Sequence, residues 1–564
     1  MRHLPPIYRV VQRTSPGYTD VELMNKLTNE AFLRLTRRAE SRDRAKLVET
    51  FVDAAPLITL LSTRDHQVIY GRRGTGKTHA LLFLQDLQKR AGHIAIYLDM
   101  RTVGSTGGLY SDSSVSIPER GTRLLSDTLA AIHDGLLEHI LEAEDLDLAG
   151  LSMPLDRLAE STAQVSILGE IEQESVRGST TETTATRSGA VSISARGVDV
   201  AIRNGTQNLT SSGEHLRSTE RGVARHRVHF GGVGQAFSDI LQRLAPHRVW
   251  ILLDEWSVIP VELQPYLADL LRRSLLPHTG ITVKIGAIEQ RTKLHLPGLQ
   301  GDYIGIEVGA DITADLNLDD FMVFDNDSRR ATSFFQEMLF KHYRSVDELD
   351  LSQGPLSSTE LISTAFTQHN AFEEFTRASE GVPRDAINIL VLAAQKALND
   401  SISIPHIRAA AKTWYQRDKE AAVTANPSAR ALLHWIIDDV IGHRRARAFL
   451  LRTDVRHPLI DALFDARVIH LLKKNVSAHD QPGVRYDVYK LDFGCYVDLL
   501  TTAKSPVGLL PGDEPDQFVD VPPDDYRAIR RAILDLEKFE EGFGKPGTSQ
   551  NLRLAYQPDQ ASQE

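Results

Sequence analysis

The segment Gly71-Arg72-Arg73-Gly74-Thr75-Gly76-Lys77-Thr78 has the residue types and spacing of a phosphate-binding loop, G-x-x-x-x-G-K-[ST]. Its glycines let successive backbone N–H groups turn toward one point, and a helix beginning there adds the partial positive charge of its N-terminus. Lys77 is spaced to reach the β- and γ-phosphates of ATP, and the Thr78 hydroxyl to ligate Mg2+. The candidate nucleotide contacts are therefore Gly71, Arg72, Arg73, Gly74, Thr75, Gly76, Lys77, Thr78 and His79. A second constellation follows 176 positions after Thr78, where the apolar run Val249-Trp250-Ile251-Leu252-Leu253 delivers Asp254 and Glu255. Open α/β sheets bind ligands at the C-terminal ends of their strands, so this pair is expected beside the loop. Asp254 is the candidate second Mg2+ ligand, acting through water. Glu255 is the candidate base that polarises an attacking water, and Lys77 neutralises developing charge on the transferred group.

Those roles require a strand to enter the loop and a helix to leave it. Residues 66–70 read as a short buried strand, and 79–90 as a helix with apolar residues at helical spacing. A second buried strand is predicted at 93–100, a helix at 233–244, a strand at 248–253, a helix at 261–275 and another buried strand at 280–288. This alternation predicts a parallel α/β sheet. A simple βαβ unit needs roughly 30 residues, so the distance from Thr78 to Asp254 demands an insertion. The stretch 160–232 supplies it, rich in Ser, Thr, Gly and Arg. Alternation at Val191, Ile193, Val198, Val200 and Ile202, with turn signals at Arg196-Gly197 and Asn204-Gly205, predicts a β-hairpin or small meander with mobile flanks.

Elsewhere the pattern is mainly helical. Residues 21–46 predict an amphipathic helix with a basic stretch over 34–46, read as a solvated face in preference to a nucleic-acid contact. Residues 312–420 predict helices throughout, with breaks near Gly354-Pro355 and Gly381-Val382-Pro383. Residues 428–500 predict helix, strand, helix and a hairpin turning at Gln481-Pro482-Gly483; a Pro/Asp-rich linker, a charged helix at 524–541 and a polar tail follow.

Bulk properties exclude several classes. With 564 residues, 41% hydrophobic and 25% charged, the chain is long enough for about two to four globular domains. A net charge of −11 excludes a uniformly basic coat. Cys495 is the single cysteine, which rules out an intramolecular disulfide and a Cys-rich metal site and fits a reducing cytoplasm. No apolar run of about 18 residues and no apolar signal core are present, so neither secretion nor a membrane span is expected.

The loop, the Asp254-Glu255 strand end, a further buried strand and the element Glu380-Gly381-Val382-Pro383-Arg384 together resemble AAA+ ATPases. Among these the chain looks most similar to the origin-recognition and cell-division-cycle initiator group, over roughly residues 45–500. The resemblance implies a P-loop AAA+ parallel-sheet core with a helical lid and a C-terminal winged-helix-like domain. It implies the ATPase core at 51–311, the lid at 312–425 and the winged-helix-like domain at 426–500; the residue pattern adds an N-terminal helical segment at 1–50 and a linker, helix and tail at 501–564. It also gives Arg384 a catalytic sensor role, contacting the γ-phosphate from the lid. Gly381 and Pro383 suit a helix start, and a guanidinium there would respond to loss of its anionic partner. In the C-terminal domain His443, Arg444, Arg445, Arg447, Arg452, Arg456, Lys473 and Lys474, interleaved with Phe449, Tyr486 and Tyr489, could meet DNA phosphates; a protein-docking platform is the equal alternative.

The chain departs from the group in three places. The strand end near Ala287-Ile288-Glu289-Gln290-Arg291 lacks the family's Asn or Thr, leaving Glu289 or Gln290 to position water. Arg272, Arg273 and Arg291 are the candidates for an arginine finger, and Arg73 stands where the initiators often carry Pro. Three functions follow. The first is a Mg2+-dependent ATP hydrolase that self-associates or joins a partner protein and acts on DNA. The second is a nucleotide-gated signalling switch controlling an effector, as in a genome-defence system. The third is a binding scaffold with a slow or dead ATPase, against which Glu255 and Arg384 both speak.

Overall fold

The computed structural model describes residues 20–36, 44–53, 56–103, 110, 112, 114–143, 146–162, 165–175, 191–194, 197–200, 216–298, 303–319, 328–347, 349–352, 354–441, 447–477, 483–501 and 532–543. It divides into two compact units, one spanning 42–321 and the other combining 1–41 with 322–564. The N-terminal helical stretch is split between them. α1 (Asp20–Leu33) ends well before α2 (Arg44–Thr50), so 21–46 is not one continuous helix. α1 belongs to the second unit and α2 to the first.

In the first unit α3 (Leu57–Leu61) precedes β1 (Gln67–Tyr70), α4 (Lys77–Arg90) and β2 (Ile94–Asp99). After α5 (Ile117–Glu142) and α6 (Leu148–Thr162) come the strands of the insertion, β3 (Val165–Ser175), β4 (Val191–Ser194), β5 (Gly197–Val200) and β6 (Leu216–Val228). The core continues with α7 (Phe230–Leu244), β7 (Val249–Asp254), α8 (Gln264–Ser274), β8 (Ile281–Ala287), β9 (His295–Pro297), β10 (Tyr303–Gly305) and β11 (Thr313–Asn317). Five strands form a parallel sheet in the order β11-β1-β8-β7-β2. β7 and β8 are buried at every residue, as expected of central parallel strands covered on both faces.

The two-residue period of the strands sorts their side chains between two layers. Ile69, Ala95, Trp250 and Leu252 pack under Leu81 and Leu84 of α4. Val68, Ile96, Ile251 and Val283 face the opposite way, onto a core that includes Leu129, Phe237 and Leu267 of α5, α7 and α8. Register keeps the strand ends level: Asp99 lies opposite Asp254, and Tyr70 opposite both Ala287 and Asn317. The loops leaving β1, β7, β8 and β11 therefore gather on one edge.

β11 corrects the sequence reading, which has only helices over 312–420. Thr313-Ala314-Asp315-Leu316-Asn317 is short and mostly polar, and only its pairing with β1 makes it a strand. It also carries the α/β unit past the 311 limit, to the division at 321. The insertion is larger than a hairpin. β3 and β6 pair antiparallel along eleven residues and, with β5 and β4, make a sheet ordered β3-β6-β5-β4. The β4–β5 pairing matches Val191 to Val200 across the expected turn; the flanks at 176–190 and 201–215 lie outside the described residues, as do Ile202 and Asn204-Gly205.

The second unit begins with α1 and continues through α9 (Ser328–Arg344), α10 (Ser358–Ala365), α11 (His369–Ala378), α12 (Pro383–Ala397) and α13 (Ile404–Trp414). Asn29 of α1 donates its amide to the carbonyls of Leu398 (2.8 Å) and Asp400 (2.9 Å), satisfying acceptors beyond the end of α12. A π-turn at Tyr415–Lys419 leads to α14 (Glu420–Thr424) and α15 (Pro427–Trp435), and a second π-turn follows at Ile436–Ile441. The unit closes with β12 (Ala448–Arg452), α16 (Pro458–Asp465), β13 (Ile469–Ser477), β14 (Arg485–Leu491), α17 (Phe493–Thr501) and α18 (Leu536–Phe543). β14 lies between antiparallel β12 and β13. The expected charged helix at 524–541 is represented by α18, whose Leu536 and Phe539 are buried in the same core as β12 to β14; 524–531 lie outside the described residues. Among the described residues no helix is long and apolar enough to cross a membrane.

Candidate nucleotide-binding site

β1 delivers the chain to the loop, and the Gly71 N–H donates to the Ala287 carbonyl at 3.2 Å. Gly74 (φ 86°) and Gly76 (φ 98°) take left-handed backbone, where a β-carbon would be strained. The turn closes on the Arg72 carbonyl, which accepts from Thr75 Oγ1 at 2.9 Å and from Thr75 N at 3.4 Å. Gly76 caps α4, so Lys77 and Thr78 are its first residues. The Lys77 ammonium is buried and lies back along the loop, donating to the carbonyls of Gly71 (2.7 Å) and Arg72 (2.9 Å).

The acidic strand end meets the loop directly. Asp254 is fully buried, and its Oδ2 accepts from Thr78 Oγ1 at 2.6 Å and from the Tyr97 hydroxyl at 2.8 Å. Its Oδ1 accepts from the Glu255 N–H at 2.8 Å. The carboxylate fits because Gly286 of β8 has no side chain: a β-carbon there would stand 2.8 Å from Asp254 Oδ1. Burial, then the charge of Asp254 and its hydrogen bond, push the Tyr97 phenol far up, so Tyr97 remains a donor to Asp254 across the neutral range. A hard cation suits a hydroxyl and a carboxylate this close, so Thr78 and Asp254 fit Mg2+.

Glu255 adopts left-handed backbone (φ 55°, ψ 33°), an uncommon conformation for a residue with a β-carbon and one that concentrates at functional sites. The surroundings hold it there. Trp256 is fully buried and donates its indole N–H to Gln264 Oε1 at 3.2 Å, while Ser257 Oγ accepts from the Ile288 N–H at 2.6 Å. The Glu255 carboxylate makes no hydrogen bond or ion pair with the described residues.

Other expected contacts are placed differently. The His79 imidazole hydrogen-bonds the Leu47 carbonyl (2.7 Å) and meets Phe51 edge-on, facing α2. Arg73 is exposed, whereas Arg72 is buried and bound to Asp319. Arg272 and Arg273 both pair with Asp269, at 2.8 and 2.7 Å, and lie over the rings of Tyr303 and Phe230, so an arginine-finger role would require both to leave these partners. Glu289 accepts from Asn317 Nδ2 at 3.4 Å. Burial and then the Glu289 charge push the Tyr70 phenol up to about 12. Tyr97, Gly286, Asn317 and Asp319 escaped sequence reasoning. An isolated Tyr in a buried strand and a Gly inside an apolar run were the available signals.

Arg384 lies in the second unit, half-buried, one residue after the start of α12. The chain reaches it through left-handed Glu380 (φ 52°) and Gly381 (φ 72°). Both acidic residues flanking this start are buried among cations. Glu380 binds Arg447 and Lys490, the latter at 2.6 Å, from the strands β12 to β14 and their edge. Asp385 is held by Lys419 at 2.9 Å and Arg467 at 2.7 Å, and Lys419 also reaches Asp492 at 2.5 Å. Burial opposes ionisation of Asp385, but Lys419 and then Arg467 outweigh it and hold its carboxyl below the ordinary range. Burial likewise opposes charge on Lys419, yet Asp385 and Asp492 raise its pKa. Asp385 thus stabilises the fold above the usual carboxylate pKa of about 3.9, and this is lost as pH falls through its lower folded value. Lys419 stabilises below about 10.4, and this is lost as pH rises through its higher folded value. Asp385→Ala removes one carboxylate shared by two buried cations, leaving Lys419 with Asp492 and Arg467 with Asp418, and is expected to cost about 1.5–3 kcal/mol, read from the urea midpoint at pH 7.

Of the basic residues considered for DNA, His443, Arg444 and Arg445 lie outside the described residues, and Arg447 is engaged with Glu380. Arg452 pairs with Asp454 at 2.5 Å. No family model matches the chain, and no curated protein matches it. Among solved structures, the chain is similar to the Orc1 protein of Aeropyrum pernix in complex with DNA. That similarity covers 82% of this chain and 93% of the other, at 13% identity and a TM-score of 0.25.

Proposed function

We propose that this chain is a Mg2+-dependent ATP hydrolase of the AAA+ type. The carrying observation is the 2.6 Å approach of Thr78 to Asp254, which brings the phosphate loop and the acidic strand end into one site. The loop's backbone and the start of α4 receive the phosphates. Lys77 exchanges its two loop carbonyls for anionic oxygens, which are stronger acceptors. Thr78 and Asp254 hold Mg2+, which when bound neutralises charge on the phosphates. Glu255, carried past the strand end by its strained backbone, orients the attacking water and takes its proton.

In this reading Arg384 is the lid's sensor of the γ-phosphate, and residues 426–500 form a winged-helix-like domain. The order helix, strand, helix, hairpin from α15 to β14 supports the latter. Self-association or a partner protein, coupling to DNA and a cytoplasmic setting rest on the resemblance and the composition alone. The switch reading also gains support. The ion pairs at Glu380 and Asp385 fasten the start of the Arg384 helix to the C-terminal strands, a stiff route for a nucleotide signal to an effector.

Phosphate release from ATP tests these readings. Turnover is expected with Mg2+ and is expected to vanish with a chelator. ATP binding without turnover would favour the scaffold, and absence of both would refute the hydrolase and the switch. Coupling to DNA predicts duplex binding that falls steeply with salt and weakens in Arg444→Ala and Arg445→Ala. Binding indifferent to salt and to both changes would contradict it.

A further inference from the structure

We infer that Asp319 is the positioning residue of the phosphate loop, acting through Arg72; this rests on the nucleotide-site reading above. β11 runs parallel to β1 with Asn317 opposite Tyr70, so the two strands leave the sheet side by side. One continues into Gly71-Arg72 and the other into Leu318-Asp319. Leu318 is fully buried, and a β-carbon on Gly71 would meet the Leu318 β-carbon at 3.3 Å, so the loop's first residue rests on the end of β11.

Asp319 grips Arg72 twice. Its Oδ2 accepts from the Arg72 backbone N–H at 3.0 Å, and its Oδ1 from Arg72 Nε at 2.7 Å. Arg72 is 2% exposed, so water screens its pair with this carboxylate little. Asp319 is itself held, its N–H donating to Asn317 Oδ1 at 3.0 Å. The peptide thus fixed is the hub of the loop, because the Arg72 carbonyl receives Thr75 Oγ1 and Lys77 Nζ, each at 2.9 Å. When Lys77 turns to a phosphate it leaves that carbonyl, and the Asp319 grip keeps the Arg72 peptide in place. The Arg72 side chain therefore serves the loop's shape and is not a phosphate ligand.

The test measures MgATP affinity and turnover of the full chain at a temperature where every variant is folded by circular dichroism. Asp319→Asn keeps shape but removes charge, and is expected to weaken affinity about tenfold with a smaller change in kcat. Arg72→Met keeps the backbone N–H bond to Asp319 and is expected to lose less, and the double variant to lose less than the sum of the two single losses, since both changes remove the Nε–carboxylate contact. Wild-type affinity in Asp319→Asn, or fully additive losses in the double variant, would overturn the inference. Lys77→Ala measured in parallel separates the two claims. If it loses ATP while Asp319→Asn does not, only the role of Asp319 fails. If neither variant loses ATP, the nucleotide site itself fails.

Discussion

Glu255→Gln is expected to lower kcat for ATP hydrolysis by about 10²–10⁴-fold, the usual contribution of a positioned general base, while leaving ATP affinity little changed. The change removes a proton acceptor and almost no volume. The Asp254 contacts to Thr78 and Tyr97 do not involve the Glu255 side chain, so the Thr78–Asp254 arrangement survives. The Glu255 N–H that donates to Asp254 is backbone and also survives. Nothing in the described structure relies on the Glu255 carboxylate for stability, so the melting temperature is expected to hold or rise slightly. The reading is checked by single-turnover phosphate release alongside an equilibrium titration. Loss of turnover with retained binding assigns the base; retained turnover removes Glu255 from that role. A parallel loss of affinity would mean instead that the left-handed turn at Glu255 had been disturbed.

Much of the site was legible because its chemistry is local in sequence. A phosphate loop needs glycines at set spacing followed by Lys and Thr, and 71–78 contains them in order. β7 and β8 were legible because buried parallel strands read as apolar runs. What was hidden is what only the sheet brings together. β11 has one buried leucine in a polar stretch, and its identity as a strand comes from β1, some 247 positions away as measured by the Arg72–Asp319 bond. Tyr97 looks like one more apolar residue of β2 until its hydroxyl is seen at Asp254. The insertion was underestimated because β3 and β6 are rich in Glu, Gln, Arg and Ser, and their long ladder is invisible to a hydrophobic pattern. The ion pairs around α12 were missed because their partners are far apart in sequence: Glu380, Asp385 and Lys419 are all buried, and only the fold brings them to Arg447, Lys490, Arg467 and Asp492.

The second large effect is expected at Lys77, whose ammonium lies against the Gly71 and Arg72 carbonyls of the loop. Lys77→Ala removes a charged donor that phosphates would otherwise recruit, with each such bond worth about 1.5–3 kcal/mol. Because Lys77 is buried against loop carbonyls and not against a carboxylate in those two contacts, its removal is not expected to strand a buried anion there. The fold should persist, and the loss should appear in binding. The most direct measurement is therefore an equilibrium titration of the full chain with ATP in the presence of Mg2+, comparing wild type with Lys77→Ala. Saturable binding by wild type, weakened at least about tenfold in a folded Lys77→Ala variant, is the expected result. Equal affinity in the two proteins would contradict the assignment of 71–78 as the nucleotide site.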